Sequence, residues 1–159
     1  AYYAPESAAS DSAAGIVELA TSAEVTTGTD TARAVTPASL AGAPGSNNIG
    51  YLNIPQNAQT GNYTLVIGDA GKHIYHAAGA GSGDTYTIPA NASVAFAIGT
   101  AITFVNRDTT NSVSIAITSD TLTLAGIGST GTRTLAAYGI ATAIKVTSTE
   151  WMISGTGLS

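Results

Sequence analysis

Residues 113–125, VSIAITSDTLTLA, indicate the fold class of this chain. Val113, Ile115 and Ile117 alternate with small or polar residues, and Leu122 and Leu124 alternate with threonines after a short break. Successive side chains of a β-strand point to opposite faces of the sheet. The period of two therefore predicts two strands, each with one buried face and one face of small polar side chains.

Similar short segments continue along the chain from about residue 50 onward. Turn-forming glycine, aspartate and asparagine residues separate them at 68–71, 79–84, 107–112 and 126–131. Turns at this regular spacing favour a β-sandwich or a barrel over alternating strands and helices. We predict an all-β fold, an antiparallel β-sandwich or barrel-like domain, with strands at 63–67, 73–75, 85–88, 94–98, 102–106, 113–118, 121–125, 132–136, 140–147 and 151–154.

The first 45 residues differ from the β region in composition and in the local structure that they predict. Residues 1–14 are small and polar, which predicts a linker or lead-in, and a chain that starts at Ala1 is expected to be trimmed from a longer protein. An alternating run at 15–20 predicts a short strand, and helix signals follow it. We predict three parts: the lead-in at 1–14, a segment with short helices at 15–45, and a β domain at 50–159.

Two helix starts are recognisable in the second part. Thr21 and Glu24 have the spacing of a capping box, and Gly28 stands where a left-handed C-terminal residue belongs. Thr36 followed by Pro37 has the pattern of an N-cap and a first helical residue. Helices this short do not persist in water without packing, and few large apolar residues lie nearby. We therefore expect them to pack against another chain.

Charged residues are scarce in this sequence. They make up 9% of the chain, compared with about 25% in ordinary soluble proteins, and none occurs between Arg33 and Asp69. Hydrophobic residues make up 44%, which argues against disorder. So little surface charge makes a monomer poorly soluble. We expect much of the surface to be buried against other copies of the chain.

The composition also argues against several kinds of partner. The formal net charge is −5 and the five cations are scattered, whereas a nucleic-acid site needs clustered Lys and Arg. The sequence has no run of about 18 apolar residues, so we expect no insertion into a membrane. Because it has no cysteine, it has neither a disulfide framework nor thiolate metal ligands.

No arrangement of residues in the sequence predicts catalysis. The acidic residues of the β region lie mostly in turn-like segments, where a carboxylate caps its own backbone. His73 and His76 stand three apart on a predicted strand, so they point to opposite faces and one chain cannot use both on one metal. The glycine-rich run at 79–84 lacks the Gly-Lys-Ser/Thr sequence and the helix of a phosphate-binding loop. We predict a protein that is not an enzyme and needs no metal or cofactor.

Aromatic side chains are the sequence's best candidates for contacts with sugars. Trp151 lies in an apolar closing segment, which favours a place in the core or in an interface. Tyr86 and Tyr138 adjoin loop-like segments and are better candidates for stacking on a ligand.

Residues 15–40, GIVELATSAEVTTGTDTARAVTPASL, resemble a module repeated in bacteriophage tail fibres, including the collar region of the short tail fibres of large contractile-tailed phages. The family pattern runs Gly-Val-x-Leu-Ala-Thr, then Glu, then Gly-x-Asp, then Ala-Val-Thr/Ser-Pro and a final Leu. The matching positions are Gly15, Val17, Leu19, Ala20, Thr21, Glu24, Gly28, Asp30, Ala34, Val35, Thr36, Pro37 and Leu40. The resemblance implies a parallel homotrimer, with a trimerisation motif at Val17, Leu19, Glu24, Val35, Pro37 and Leu40.

Residues 63–158 are similar to a second phage-associated module, common at the C-terminal ends of fibre proteins. The similar elements are DAGK at 69–72, TIPxN at 87–91, FxIGTxI at 96–102 and EWMIxG at 150–155. Together the two modules imply a trimer whose β domains pack on their neighbours. The role they imply is attachment of the virion to a bacterial surface glycan such as capsule or lipopolysaccharide.

Receptor contacts are expected in three loops of the β domain, at 79–85, 107–112 and 126–133. The candidate receptor-binding residues are Asp84, Tyr86, Arg107, Asp108, Asn111 and Arg133. Two alternatives stay open. The chain is then either a fragment of a tailspike depolymerase, which needs clustered acidic residues, or a structural stalk or adaptor segment that touches no receptor.

Overall fold

The computed structural model describes residues 17–42 and 53–159. The chain divides into two compact units between Asn53 and Ile54. The predicted lead-in at 1–14, the start of the alternating run at 15–20 and the glycine-rich segment after Gly42 lie outside the described residues.

The N-terminal unit contains two short helices, α1 at Ser22–Thr27 and α2 at Pro37–Gly42. The Glu24 N–H donates to the Thr21 hydroxyl oxygen at 3.3 Å, and the Thr21 N–H donates to the Glu24 carboxylate at 2.8 Å. Gly28 ends α1 with a φ of 67°. The predicted capping box and left-handed cap are therefore confirmed.

The start of α2 is capped in a similar reciprocal way. The Ser39 N–H donates to the Thr36 hydroxyl oxygen at 3.1 Å, and the Thr36 N–H donates to the Ser39 hydroxyl oxygen at 3.0 Å. The predicted strand at 15–20 is reduced, in its described part, to one parallel bridge between Leu19 and Ala34. Two local caps and one bridge give this small unit its backbone order.

The described part of the C-terminal unit contains nine strands in one mixed, nearly closed, barrel-like sheet. Their bounds are β1 Gln56–Gln59, β2 Tyr63–Thr64, β3 His73–His76, β4 Thr85–Ile88, β5 Ala101–Asn106, β6 Val113–Ile117, β7 Thr121–Leu124, β8 Arg133–Lys145 and β9 Glu150–Leu158. A 3-10 turn at Ile67–Asp69 follows β2. The prediction of a mostly β protein with two short helices near its N-terminus is confirmed.

The long strand β8 connects the two parts of the sheet. Residues 140–144 of β8 pair antiparallel with β5, and residues 133–135 pair antiparallel with β6. β9 pairs with the other edge of β8, with a register shift between Leu135 and Ile140. Within this shift Tyr138 has a φ of 61°, in the left-handed region that residues other than glycine seldom adopt. Because such irregularities bend a strand, β5 and β6 follow one another along a bent β8.

The other strands extend this arrangement in two parallel sets. β1, β3 and β5 lie side by side, as do β2, β4 and β6. β7 is parallel to β9. Consecutive strands from β1 to β6 therefore belong to different sets, and the links between them are not hairpins. The predicted antiparallel sheet is wrong for these five pairs, because regular turn spacing does not reveal which strands become neighbours.

Two predicted strand assignments also differ from the structure near β8 and β1. The segments predicted at 132–136 and 140–147 belong to one strand, because β8 continues through its register shift. The sequence does not predict β1, whose residues QNAQ are polar and lie at an edge of the sheet. Edge strands bury little surface, so they need no apolar alternation.

The predicted strand at 94–98 is irregular instead, with a bend at Val94 and a turn that begins at Ile98. The Val94 N–H donates to the Ala90 carbonyl oxygen at 3.0 Å, which closes a local turn and leaves no ladder for a neighbour. Phe96 is buried against Trp151, with ring centroids 5.6 Å apart and planes at 83°. The apolar alternation in this segment therefore belongs to a loop that covers the core, and not to a strand.

Inward-facing side chains of the strands form one apolar core in the C-terminal unit. The alternation in 113–125 is confirmed, since Val113, Ile115 and Leu122 are buried while Ile117 and Leu124 pack partly buried against them. The other large members are Leu65, Ile74, Tyr86, Ile88, Phe96, Ile102, Phe104, Leu135, Trp151 and Ile153.

We predict that Gly155→Ala destabilises the C-terminal unit. A Cβ at this position would lie 2.1 Å from the Ile140 carbonyl oxygen and 2.4 Å from the Ala141 Cα, both in the backbone of β8. Overpacking of this kind costs about 1–3 kcal/mol. The free energy of unfolding, measured by denaturant titration, reports the cost. Gly68→Ala is the control, because a Cβ there meets no atom within 4 Å. Equal unfolding free energies in the two variants would contradict the close pairing of β8 with β9.

Candidate functional site

Three connections of the chain lie together beside the bend of β8. The strands of each parallel set are neighbours, so the links β1–β2, β3–β4 and β5–β6 are neighbours as well. They are residues 60–62, 77–84 and 107–112. We call these segments, together with residues 136–139 of β8, the corner. Loops that a rigid sheet holds in this way are common places for binding.

Hydrogen bonds join each connection of the corner to the next. The Thr85 N–H donates to the Asn62 side-chain oxygen at 2.8 Å, which ties the first connection to the second. The Arg107 N–H donates to the His76 carbonyl oxygen at 2.9 Å, which ties the second to the third. The corner is therefore a continuous structure and not three independent loops.

Asn106 holds the corner from the inside. This residue is 1% exposed, and its amide nitrogen lies 2.9 Å from the carbonyl oxygen of Asn111, 3.1 Å from that of Leu135 and 3.0 Å from that of Ala136. Its side-chain oxygen accepts a hydrogen bond from the Asp108 N–H at 3.0 Å. These bonds join the end of β5, the connection that follows it and the bend of β8, and they give buried backbone carbonyl groups a hydrogen-bond partner.

Asp108 is also directed inward. Its Oδ1 accepts hydrogen bonds from the N–H groups of Thr110 and Asn111, both at 2.8 Å, and the Gly79 N–H also donates to the carboxylate. The donors of Asn111 and Thr110 hold the pKa of the Asp108 carboxyl well below its ordinary value, although desolvation acts in the opposite direction. The predicted turn-capping role of Asp108 is confirmed. At 2% exposure it is not a surface contact for a receptor.

Asp84 and Tyr86 lie at the inner edge of the corner. The Asp84 carboxylate lies 3.1 Å from Nε2 of the buried His76. Tyr86 is fully buried and stacks on Phe104, with ring centroids 6.4 Å apart. Burial raises the pKa of Tyr86, and the charge of Asp84 acts in the same direction. Tyr86 is therefore a core residue. Its ring is not accessible to a receptor, because the side chain points into the core from the start of β4.

Arg107 and Tyr138 are the largest exposed side chains of the corner, which also exposes small polar residues such as Ser82, Thr109 and Ser112. The Arg107 guanidinium lies over the Tyr138 ring, 5.0 Å from its centroid, and Tyr138 is 59% exposed. The Tyr138 N–H donates to the Asp108 carbonyl oxygen at 3.3 Å, which helps to hold its left-handed backbone. Strained residues that the surrounding structure enforces are concentrated at binding sites. A guanidinium next to an aromatic ring offers donors to anionic or hydroxyl groups and a flat apolar surface.

The structure brings four of the six candidate receptor-binding residues together and separates the other two from the surface they were expected to share. Asp84, Arg107, Asp108 and Asn111 belong to the corner. Tyr86 points into the core. Arg133 is 8% exposed and lies on β8 opposite Ile115, where its guanidinium contacts the Ser129 hydroxyl at 3.2 Å. The residue that completes the corner, Tyr138, is also marked by its position beside a loop-like segment of the sequence.

A second surface of the C-terminal unit carries no Asp, Glu, Lys or Arg and combines apolar with small polar side chains. It consists of the outward residues of β3, β5, β8 and β9, and we call it the neutral face. Its members are His73, Tyr75, Ala101, Thr103, Val105, Ile140, Thr142, Ile144, Met152, Ser154 and Thr156. Ile140, Ile144 and Met152 are 51%, 45% and 40% exposed. Arg107 and Glu150 flank the face on β5 and β9, Lys72 directly precedes His73, and Lys145, which follows Ile144, is buried.

Three polar side chains of the neutral face already have partners within the chain. The hydroxyl oxygens of Thr103 and Thr142 lie 2.9 Å apart across β5 and β8. The ring of His73 contacts the Gln56 side chain at 3.0 Å and the Ile54 carbonyl oxygen at 3.1 Å. Burying a polar group is costly only where it loses its hydrogen bonds. The neutral face is therefore suited to burial against another protein surface.

In the N-terminal unit, the apolar members of the predicted trimerisation motif are exposed. Val17, Leu19 and Val35 are 44%, 60% and 54% exposed, Pro37 is also exposed, and Leu40 is half-buried. This exposure agrees with the expectation that the short helices pack against another chain, which a single chain leaves untested.

Arg33 joins three carboxylates of the N-terminal unit, at 3.2 Å from Glu18, 3.0 Å from Glu24 and 2.5 Å from Asp30. Hydrogen bonds from Thr21 lower the pKa of Glu24, and the Ala32 N–H lowers that of Asp30. The depression beside this cluster has a volume of about 100 Å³. Ligand pockets usually span roughly 300–1,000 Å³, so this one is too small to hold an oligosaccharide.

Within residues 17–42 and 53–159, no group of three or more His, Asp or Glu side chains is placed to hold a metal ion. No described helix is long and apolar enough to cross a membrane. Comparison with known protein families and with curated protein sequences finds no match for this chain.

We predict that the corner resists acid until the pH falls below the ordinary Asp108 pKa of 3.8. Because the folded pKa is lower than the unfolded one, the ionised carboxylate stabilises the corner above the unfolded value and loses this effect as the pH falls through the folded value. The amide NMR shifts of Thr110 and Asn111 should stay constant down to pH 3.8 and move only below it. Asp108→Asn, which keeps an acceptor oxygen, should remove the transition. Movement of these signals well above pH 3.8 in the unaltered protein would contradict the described bonds.

Proposed function

We propose that this chain is part of a bacteriophage tail fibre that attaches the virion to a bacterial surface polysaccharide, such as capsule or lipopolysaccharide, as a homotrimer. The observation that carries the binding role is the pair of Arg107 and Tyr138, which is exposed on a corner whose backbone the buried Asn106 and Asp108 hold in place. The fibre origin is supported by the tail-fibre resemblance at residues 15–40 and at residues 63–158. In this proposal the chain acts without catalysis.

The corner has the chemistry that recognition of a bacterial polysaccharide requires. Sugar rings present C–H groups that pack on an aromatic face, and many surface polysaccharides carry carboxylate or phosphate groups that a guanidinium binds. Asn106 and Asp108 fix the backbone on which Arg107 and Tyr138 stand. Because the site is preorganised in this way, it loses little conformational entropy when it binds a ligand.

The neutral face supports assembly of several copies. A chain with a net charge of −5 repels its own copies, and contact is least opposed through a surface that carries no charge. Exposed apolar patches rimmed by polar residues are typical of protein interfaces. Three weak sites on one rigid assembly gain avidity without high affinity at each site.

We predict that Tyr138→Ala and Arg107→Ala each lower the affinity for the receptor polysaccharide about tenfold or more, as expected for central interface residues. Binding to an array of purified bacterial capsules and lipopolysaccharides measures the change. Ile127→Ala and Lys72→Ala serve as controls for an exposed apolar residue and a cation outside the corner. Affinities that fall equally in the controls, or not at all in the corner variants, would contradict the proposed site. Release of new reducing ends from a bound polysaccharide would instead support a depolymerase.

We predict that Ile144→Lys converts the homotrimer into monomers, because it places a charge in the middle of the neutral face. Sedimentation equilibrium measures the mass in solution, and circular dichroism checks that the β structure remains. Ile127→Lys is the matched control, since Ile127 is 75% exposed and lies in the turn between β7 and β8. A trimer that survives Ile144→Lys would remove the neutral face from the interface.

A further inference from the structure

Lys145, the last residue of β8, is buried without an acidic partner in the described residues. Its side chain is 1% exposed, and none of the ion pairs among residues 17–42 and 53–159 includes it. The amine lies 5.7 Å from the ring centroid of Trp151, which is its neighbour on β9 and is fully buried. An ammonium ion in such surroundings is costly, because the attraction of a ring replaces only part of its lost hydration.

The only side-chain oxygen that hydrogen-bonds this amine among the described residues belongs to Asn91. The Lys145 Nζ lies 2.5 Å from the Asn91 Oδ1. The carbonyl carbon of the carboxamide is one bond of about 1.2 Å further, so Nζ and Cγ are at most roughly 3.7 Å apart. Reacting atoms in productive complexes stand at a similar separation, about 3–3.5 Å.

The backbone fixes both reacting residues. The Lys145 N–H donates to the Thr100 carbonyl oxygen at 2.9 Å, and the Gly99 N–H donates to the Lys145 carbonyl oxygen at 2.8 Å. On the other side, the Asn91 N–H donates to the Asp120 carboxylate at 2.9 Å. Amine and carboxamide thus face each other, the amine buried and the carboxamide half-buried, and these hydrogen bonds hold both chain segments in place.

We propose that Lys145 and Asn91 form an intramolecular isopeptide bond. The Lys145 ammonium first passes one proton to the Asn91 Oδ1, with which it is hydrogen-bonded, because only the neutral amine has a lone pair for the attack. The amine nitrogen then attacks the Asn91 Cγ, the new C–N bond forms, and the bond from Cγ to Nδ2 breaks. One of the two remaining amine protons stays on the new amide nitrogen. The other leaves with Nδ2, together with the proton from Oδ1, as an ammonium ion. The reaction needs no oxidant, reductant or further reactant, and it replaces a buried charge by a neutral amide.

The bond would close the C-terminal unit covalently. It links the end of β8 to the segment between β4 and β5, two parts of the chain that are 54 positions apart. The sequence has no cysteine, so disulfides are not available for this purpose. A covalent link between distant residues disfavours the unfolded chain, as a disulfide does. The inference concerns the C-terminal unit alone and stands or falls independently of the proposed function.

The intact mass of the purified, denatured protein tests the bond. We expect a mass lower than the sequence mass by one ammonia, and a tryptic map in which the peptides that contain Asn91 and Lys145 are joined. Lys145→Met should restore the full mass expected for its sequence, whereas Lys72→Met, which alters the other lysine of the chain, should keep the loss. Both variants are compared by circular dichroism so that a failure to fold is recognised.

Two results would overturn the proposal. One is an unmodified protein, with the mass of its sequence and a separate peptide cleaved after Lys145. The other is a loss of ammonia that persists in Lys145→Met, since cyclisation of an asparagine on its own backbone releases ammonia without any lysine. The measurement on the unaltered protein is decisive even where a variant does not fold.

Discussion

The pairing of β8 with three other strands is the interaction on which the rest of the C-terminal unit depends. Its two ends hold β5 and β6, and its other edge holds β9. β5 and β6 in turn carry the two parallel sets. A straight β8 could not pair with both β5 and β6, because the connection between these two strands changes direction at the bend of β8. The register shift around Tyr138 allows this turn, and the Asn106 side chain hydrogen-bonds the carbonyl oxygens of Leu135 and Ala136 at its start.

The two surfaces that we propose for function follow from this one strand. At its bend β8 contributes Tyr138 to the corner, and beyond the bend it contributes Ile140 and Ile144 to the neutral face. At the corner, the buried side chains of Asn106 and Asp108 hydrogen-bond the backbone. The guanidinium of Arg107 and the ring of Tyr138 stay exposed. On the neutral face, the hydroxyl groups of Thr103 and Thr142 hydrogen-bond each other, and Ile140 and Ile144 are exposed on β8 on either side of Thr142. In the proposed trimer, assembly through the neutral face would therefore hold the three corners at fixed separations, as avidity requires.

The sequence predicts the local features well, because they depend on residues a few positions apart. The capping box of Thr21 and Glu24 is one example, and the alternation in 113–125 is another. The parallel order of β1 to β6 is not predictable in this way, since it depends on pairing between distant segments. Tyr86 and Tyr138 show the same limit within the site. Both adjoin loop-like segments, but strand pairing turns the first into the core and the shift in β8 turns the second outward.

The central claim is that the assembled chain recognises a polysaccharide on bacterial cells. Binding of the fluorescently labelled protein to a panel of bacteria, before and after mild periodate oxidation or protease treatment of the cells, tests it most directly. Periodate destroys sugar diols and leaves most proteins in place. We expect binding that protease treatment leaves intact and periodate oxidation abolishes. Binding that survives periodate and is lost after protease treatment would contradict it.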